Sequence, residues 1–223
     1  MIAPQTINLE VFHINGKLYD EQLEFDEKNN SRASCWVGTW NNPSMTDEEF
    51  YNFLTELRDK GVVKHVGITN LNLRHFKYVI DHVPDGMVES ILSFCHYCLN
   101  DDALVDYLDY FESKNVGVIN ASPYAMGLLT ERGIPEWHPA PAPLLRLSRK
   151  AVEYCKSKGS SIEQLAVSYC VQNPRIATTL FSTTSPENVL KTIRYAETPL
   201  DTELLADVQK IFEPGFRDTW VNS

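Results

Sequence analysis

Several short stretches of this sequence hold residue types that do chemistry. Cys95-His96-Tyr97-Cys98 sets two thiols around an imidazole. Such a Cys-x-x-Cys serves as a redox pair or as half of a zinc site. A zinc site needs a second ligand pair at suitable spacing, and the sequence offers none, so two buried thiols near a strand end is the better reading. His96 sits where a strand pattern ends, either facing a pocket or held as a structural histidine. Trp137 and His138 are adjacent in a proline-rich connection. They suit the apolar face of a sugar, and they equally suit a cap over a core. Ser182-Thr183-Thr184 runs into Pro186, at the start of a helix pattern. A hydroxyl-rich turn entering a helix offers backbone N–H groups and a positive dipole end to an anion, or simply caps the helix. The acidic group Asp101, Asp102, Asp106 and Asp109 reads as a solvated helix face with charge favourable to that helix's N-terminus.

Alternating strand and helix patterns position these residues. Thr46 and Glu49 have capping-box spacing ahead of a helix that Gly61 ends. Apolar runs predict strands over 63–69, 88–94, 116–122 and 177–182. Helices are predicted over 73–82, 101–114, 144–158, 161–173, 186–196 and 202–212, with Pro186 suited to a first turn. Strands alternating with helices of this length imply a parallel sheet with crossover helices. An open doubly wound sheet and part of a (β/α)₈ barrel both satisfy the pattern. No Gly-x-Gly-x-x-Gly follows any strand, which weakens the first. The first 45 residues read differently. Asn15-Gly16 between two short runs predicts a β-hairpin over 7–25, and 36–40 suits a short strand.

Composition narrows the partners. Lys plus Arg is 20 and Asp plus Glu is 30, a formal charge of −10. That balance repels nucleic acid and anionic membrane surfaces. No apolar run approaches the ~20 residues of a membrane span, and Met1-Ile2-Ala3-Pro4 begins no secretory signal. Five cysteines, an odd count without framework spacing, fit reduced thiols and a cytoplasmic protein.

Three segments together resemble a known family. They are Gly67-Ile68-Thr69-Asn70, then Ser93-Phe94-Cys95-His96-Tyr97-Cys98, then a block over 116–139. That block holds Asn120-Ala121-Ser122-Pro123-Tyr124-Ala125-Met126-Gly127-Leu128-Leu129 and Pro135-Glu136-Trp137-His138-Pro139. In this order and spacing they are similar to strands five, six and seven of an aldo-keto reductase, in its L-galactose dehydrogenase-like branch. The resemblance covers residues 46–223 and was not found in residues 1–45. It implies the carboxyl half of a (β/α)₈ TIM barrel preceded by an unassigned segment with a β-hairpin. It also implies hydride transfer between NAD or NADP and a sugar or small carbonyl.

Position by position, the resemblance places Thr69 and Asn70 at the nicotinamide carboxamide. Ser122, Met126 and Gly127 match the segment under the pyrophosphate, and Ser182, Thr183 and Thr184 match the adenosine phosphate loop. His96, Trp137 and His138 are its candidate substrate-pocket residues. Family members that prefer the extra ribose phosphate carry basic residues where this chain has Ser182 and Asn188, which favours NAD. Ala121 stands where many relatives stack an aromatic ring on nicotinamide, and Thr192 replaces a usual Asn.

The family's proton-transfer group is a Tyr, Lys, Asp and His at the ends of strands one to four. Forty-five residues cannot hold four βα units, since two strands and one crossover take ~30. Counting back from Gly67 reaches Trp36, with no His beside it, and His13 lies in the hairpin pattern. No catalytic residue is assigned. The chain is therefore expected to be a fragment, inactive alone, with a non-catalytic nucleotide-binding or regulatory module as the alternative. Open edges on strands 63–69 and 177–182 would favour self-association. Without acid–base help, turnover of L-galactose by the purified chain is expected to fall ~100-fold or more below a full-length relative's. An NADH absorbance assay checks this, and a rate within about tenfold contradicts it.

Overall fold

The structure, a computed structural model, describes residues 35–37, 52, 55–56, 58–60, 65–218 and 220. The expected hairpin over 7–25, His13 and much of the expected helix over 46–60 lie outside the described residues. Five strands form one sheet in chain order: β1 (Cys35–Val37), β2 (Val66–Asn70), β3 (Ser90–Phe94), β4 (Gly117–Ala121) and β5 (Thr178–Leu180). All four pairings are parallel. Parallel neighbours require crossovers. α1 (Leu73–His82) joins β2 to β3, and a 3₁₀ turn (Ala103–Tyr107) with α2 (Leu108–Ser113) joins β3 to β4. α3 (Ala142–Ser157) and α4 (Ile162–Val171) precede β5, while α5 (Pro186–Glu197) and α6 (Thr202–Phe212) follow it.

Period-two alternation splits each strand between two environments. Val66, Ile68, Ile91 and Val118 face the helices and pack with Phe76, Val79 and Phe111. Leu92, Ile119 and Ala121 form a second, smaller cluster with Phe94 and Leu180 on the opposite face. α1 supplies the first core through Leu73, Phe76, Val79 and Ile80, at helical spacing, and Asn72 caps it by accepting the Arg74 N–H at 2.9 Å. A third cluster joins α3 to α6: Leu144, Ala151 and Cys155 meet Leu204, Val208 and Phe212. Tyr154 Oη donates to Asp207 across that contact at 2.7 Å.

Two expectations change. β2 is not an edge, because Cys35, Trp36 and Val37 pair with Val66, Gly67 and Ile68. A three-residue strand carries little periodic signal, and its pairing is a tertiary fact. β5 pairs with β4 alone among the described residues. The acidic group is likewise not a uniform solvated face. Asp101 is 1% exposed, Asp102 and Asp106 both meet Arg217, and Asp109 meets Arg175. The helix expected over 101–114 accordingly opens as a 3₁₀ turn: Asp101 Oδ1 accepts the Ala103 N–H at 2.9 Å and ties the chain back before the α-helix begins.

Phe76 and Phe111 meet edge-on with centroids 6.2 Å apart, both fully buried between sheet and helices. Phe111→Ala removes that ring from a closed core and is expected to cost about 3–5 kcal/mol, read as a lower urea midpoint with unchanged m.

Candidate functional site

A cleft of ≈ 890 Å³ opens at the carboxyl ends of the last three strands, where Phe94, Ala121 and Leu180 are the strand-end residues lining it. One wall is the turn after β4. Its backbone is unusual: Ser122, Ala125 and Met126 have φ of 68°, 46° and 58° without being glycine. Such left-handed residues cost roughly 1–2 kcal/mol each and persist only when neighbours hold them. Here Ser122 Oγ accepts the Met126 N–H at 2.9 Å, and Ser122 O accepts the Ala125 N–H at 2.9 Å. Thr130 Oγ1 donates to Gly127 O at 2.8 Å. Gly127 has φ of 99°, and a Cβ there would stand 3.2 Å from the Pro135 ring, so glycine suits both the backbone and the close approach. The Ser122 N–H in turn donates to Leu180 O at 2.9 Å, fixing the turn to β5.

The opposite wall is the loop from β5 into α5. Ser185 caps α5 by accepting the Asn188 N–H at 3.4 Å, with Pro186 in the first turn. Thr183 Oγ1 accepts from the Ser185 N–H and from Asn188 Nδ2, at 3.2 and 3.3 Å. Ser182, Thr183 and Asn188 line the cleft, whereas Thr184 lines a shallow neighbouring depression. β5 ends at Leu180 rather than 182, and the chain then runs on to the Ser185 cap.

Of the remaining residues singled out from sequence, Ser122, Met126, Gly127 and Trp137 also line the cleft, while Thr69, Asn70, His96 and His138 do not. Thr69 Oγ1 donates to Leu92 O at 3.2 Å, and Asn70 Oδ1 accepts the Asn72 N–H at 2.8 Å. Trp137 is 67% exposed at the cleft rim. His138 is buried: Nε2 donates to Ala125 O at 2.9 Å and Nδ1 accepts the Ala140 N–H at 3.1 Å. His138 thus braces the left-handed turn.

His96 is 2% exposed. Nδ1 lies 3.0 Å from Asp101 Oδ2 and Nε2 lies 2.7 Å from Leu71 O. Asp101 as a carboxylate and the Leu71 carbonyl both accept, an arrangement that favours hydrogen on both ring nitrogens and so the protonated ring. Burial opposes that charge, but the Asp101 carboxylate and the Leu71 carbonyl outweigh it and raise the pKa. His96 thus staples the end of β2, beside Thr69 and Asn70, to the loop after β3. Cys95, Cys98 and Cys170 are buried free thiols. Burial, only partly offset by a hydrogen bond to Ser122, pushes Cys95 up to about 12. Neutral thiols of this kind are neither metal ligands nor nucleophiles, and no cluster able to hold a metal ion occurs among the described residues.

Sequence reasoning missed the charged groups of the cleft. Arg132 and Lys191 line it together with Glu131 and Glu163. Lys191 pairs with Glu163, whose Oε1 accepts the Glu131 N–H at 3.2 Å. The available signal was spacing, since Lys191 lies one helical turn beyond Asn188.

A parallel sheet with crossover helices and a cleft at the carboxyl ends of its strands places the chain among α/β proteins of the barrel or doubly wound type. The aldo/keto reductase family model matches residues 28–213. The chain belongs to that family. Over 171 residues it is 47% identical to the L-galactose dehydrogenase of Arabidopsis thaliana, covering 75% of this chain and 54% of that one. Over 121 residues it is 28% identical to aldo-keto reductase family 1 member C13 of Mus musculus, covering 53% and 35%. The chain thus spans about half, or less, of the curated relatives it matches. An aldo-keto reductase from Bacillus halodurans superposes with a TM-score of 0.66 at 19% identity, covering 90% of this chain and 70% of that one. A glycerol dehydrogenase from Gluconobacter oxydans does so with 0.62 at 15%, covering 96% and 69%. These two likenesses show the fold. The family match begins upstream of Thr46 and includes β1, so the family region extends further back than the sequence resemblance reached.

The folded pKa of His96 lies above the ordinary 6.5, so its stabilising charge is complete below that value and is lost as pH rises through the raised one. Stability to urea is expected to fall as pH rises above 6.5, and His96→Gln to remove this slope while costing about 3 kcal/mol at pH 6. A slope unchanged in the variant would assign it elsewhere.

Proposed function

We propose that this chain holds the cofactor side of an aldo-keto reductase that transfers hydride between a nicotinamide cofactor and a sugar or small carbonyl. The observation that carries this reading is the cleft between the turn after β4 and the α5 cap. It joins apolar strand ends (Phe94, Ala121, Leu180) to a hydroxyl- and amide-lined helix entrance, as a dinucleotide requires. In this reading β2 to β5 are strands five to eight and β1 is strand four, with Trp36 near its carboxyl end. Ser122, Met126 and Gly127 would lie under the pyrophosphate, and Ser182, Thr183 and Asn188 would hold the adenosine phosphate. Thr69 and Asn70 would approach the carboxamide, their strand end fixed by His96. Thr184, beside the cleft, would help shape the phosphate loop. Bound nicotinamide would supply or accept the hydride. Trp137 at the rim would offer an indole face to a sugar, positioned by the His138 brace. The 47% identity to L-galactose dehydrogenase supports the sugar over other carbonyl substrates.

Proton transfer is a separate matter. Tyr124 lines the cleft, but burial raises its phenol and its hydroxyl meets Thr192 Oγ1 at 2.8 Å. A general acid near neutrality needs the opposite shift. The chain would therefore bind cofactor without turnover by its own described residues, which keeps a non-catalytic nucleotide-binding role as the second reading. No helix among the described residues is long and apolar enough to cross a membrane; the buried free thiols support a cytoplasmic setting.

Titration of reduced-nicotinamide fluorescence should give saturable binding with NADH tighter than NADPH. Asn188→Arg should raise NADPH affinity about tenfold by adding one charge-assisted contact. Tighter NADPH binding by the unmodified chain would overturn the NAD preference.

A further inference from the structure

Asn188 and Lys191 stand one turn apart on α5 and both line the cleft. The phosphate-loop positions Ser182 and Asn188 bring no charge, yet this wall is not without a cation. Lys191 Nζ is bonded to Glu163 Oε2, with the lysine side chain 38% exposed and the glutamate 14%. Glu163 enters from the first turn of α4. Its second oxygen is engaged by the Glu131 N–H, so the carboxylate is fixed from two sides. The lysine is fixed too, lying 5.5 Å from the Tyr195 ring centroid, while the next residue, Thr192, is buried and meets Tyr124. The bond to Glu163, against a smaller effect of burial, raises the lysine pKa, so the ammonium stays charged across the physiological range.

A phosphomonoester on an adenosine ribose seated here would seek the Lys191 ammonium. It would find that ammonium already neutralised, and would bring about two negative charges towards a carboxylate that cannot rotate away without losing the Glu131 contact. A ribose with free hydroxyls meets no such repulsion and can donate to the hydroxyl and carboxylate oxygens around it.

We propose that the Glu163–Lys191 pair, bridging α4 and α5 across the cleft wall, is the specificity device that turns this site against a phosphorylated adenosine ribose. The inference rests on the reading of the cleft as a dinucleotide site. It assigns the selectivity to a masked cation rather than to a missing one. Glu163 is thereby a positioning residue acting through Lys191.

The test is titration of NADH and NADPH, each alone, into the full chain and three variants: Glu163→Gln, Lys191→Met and the double variant. Glu163→Gln keeps an acceptor for the Glu131 N–H and unmasks the ammonium, so the NADPH-to-NADH affinity ratio should rise about tenfold. Lys191→Met leaves an unpaired carboxylate on the wall, so the ratio should fall. The double variant should return it towards the starting value. A ratio unchanged in Glu163→Gln, with both nucleotides still binding, overturns the proposal and leaves the cleft assignment intact. Binding of neither nucleotide to the unmodified chain overturns the cleft assignment and the proposal with it. Should Glu163→Gln lose its circular dichroism spectrum, Lys191→Met decides alone, and an unchanged or increased ratio there rejects the device.

Discussion

A strained turn after β4 is the feature on which the rest of the site depends. Ser122, Ala125 and Met126 occupy left-handed backbone, a conformation that L-residues with side chains avoid. The turn exists because several separate contacts hold it: Ser122 Oγ on the Met126 N–H, His138 on the Ala125 carbonyl, Thr130 on the Gly127 carbonyl, and the Ser122 N–H on β5. Each contact is modest alone. Together they keep one wall of the cleft at a fixed distance from the α5 cap, and a preformed wall spares a ligand the cost of ordering it.

The same logic extends outward from the turn. His96 and Asp101 form a buried hydrogen-bonded pair that ties the end of β2 to the loop after β3. Arg217, itself left-handed at φ of 63°, donates its backbone N–H to Asn100 O and grips Asp102 and Asp106 with its guanidinium. The chain beyond α6 is thereby fastened to the loop that presents His96. The buried His96–Asp101 contact specifies one arrangement more than it adds net stability, and the exposed Arg217 pairs add little. Their positions, at strand ends rather than mid-sheet, put that specificity where the cleft is built.

Much of the scaffold was legible from residue pattern. Apolar runs punctuated by glycine and proline marked β2 to β5, and the helices around them followed from spacing and caps such as Asn72 and Ser185. The Ser-Pro and Gly-Leu-Leu block marked the turn, and Ser182 to Asn188 marked the opposite wall. What escaped was relational. Asp101 looked like one acid among four on a wet helix face, and only folding reveals its histidine partner. β1 is three residues long, and its place beside β2 is fixed by pairing, not by period. Lys191 showed in the sequence only through its place one turn beyond Asn188, and its partner Glu163 lies 28 positions earlier, on another helix. Charge counted at Ser182 and Asn188 alone gave an uncharged wall, where the structure has the Glu163–Lys191 pair.

The central claim is that the turn after β4 and the α5 entrance together hold a dinucleotide. Amide hydrogen exchange of the full chain, with and without saturating NADH, tests it most directly, because it reports protection segment by segment. The expected result is slowed exchange over 122–134 and 181–192, with α1 and α6 unchanged. Unaltered exchange in both segments, or protection confined to other parts of the chain, would contradict it.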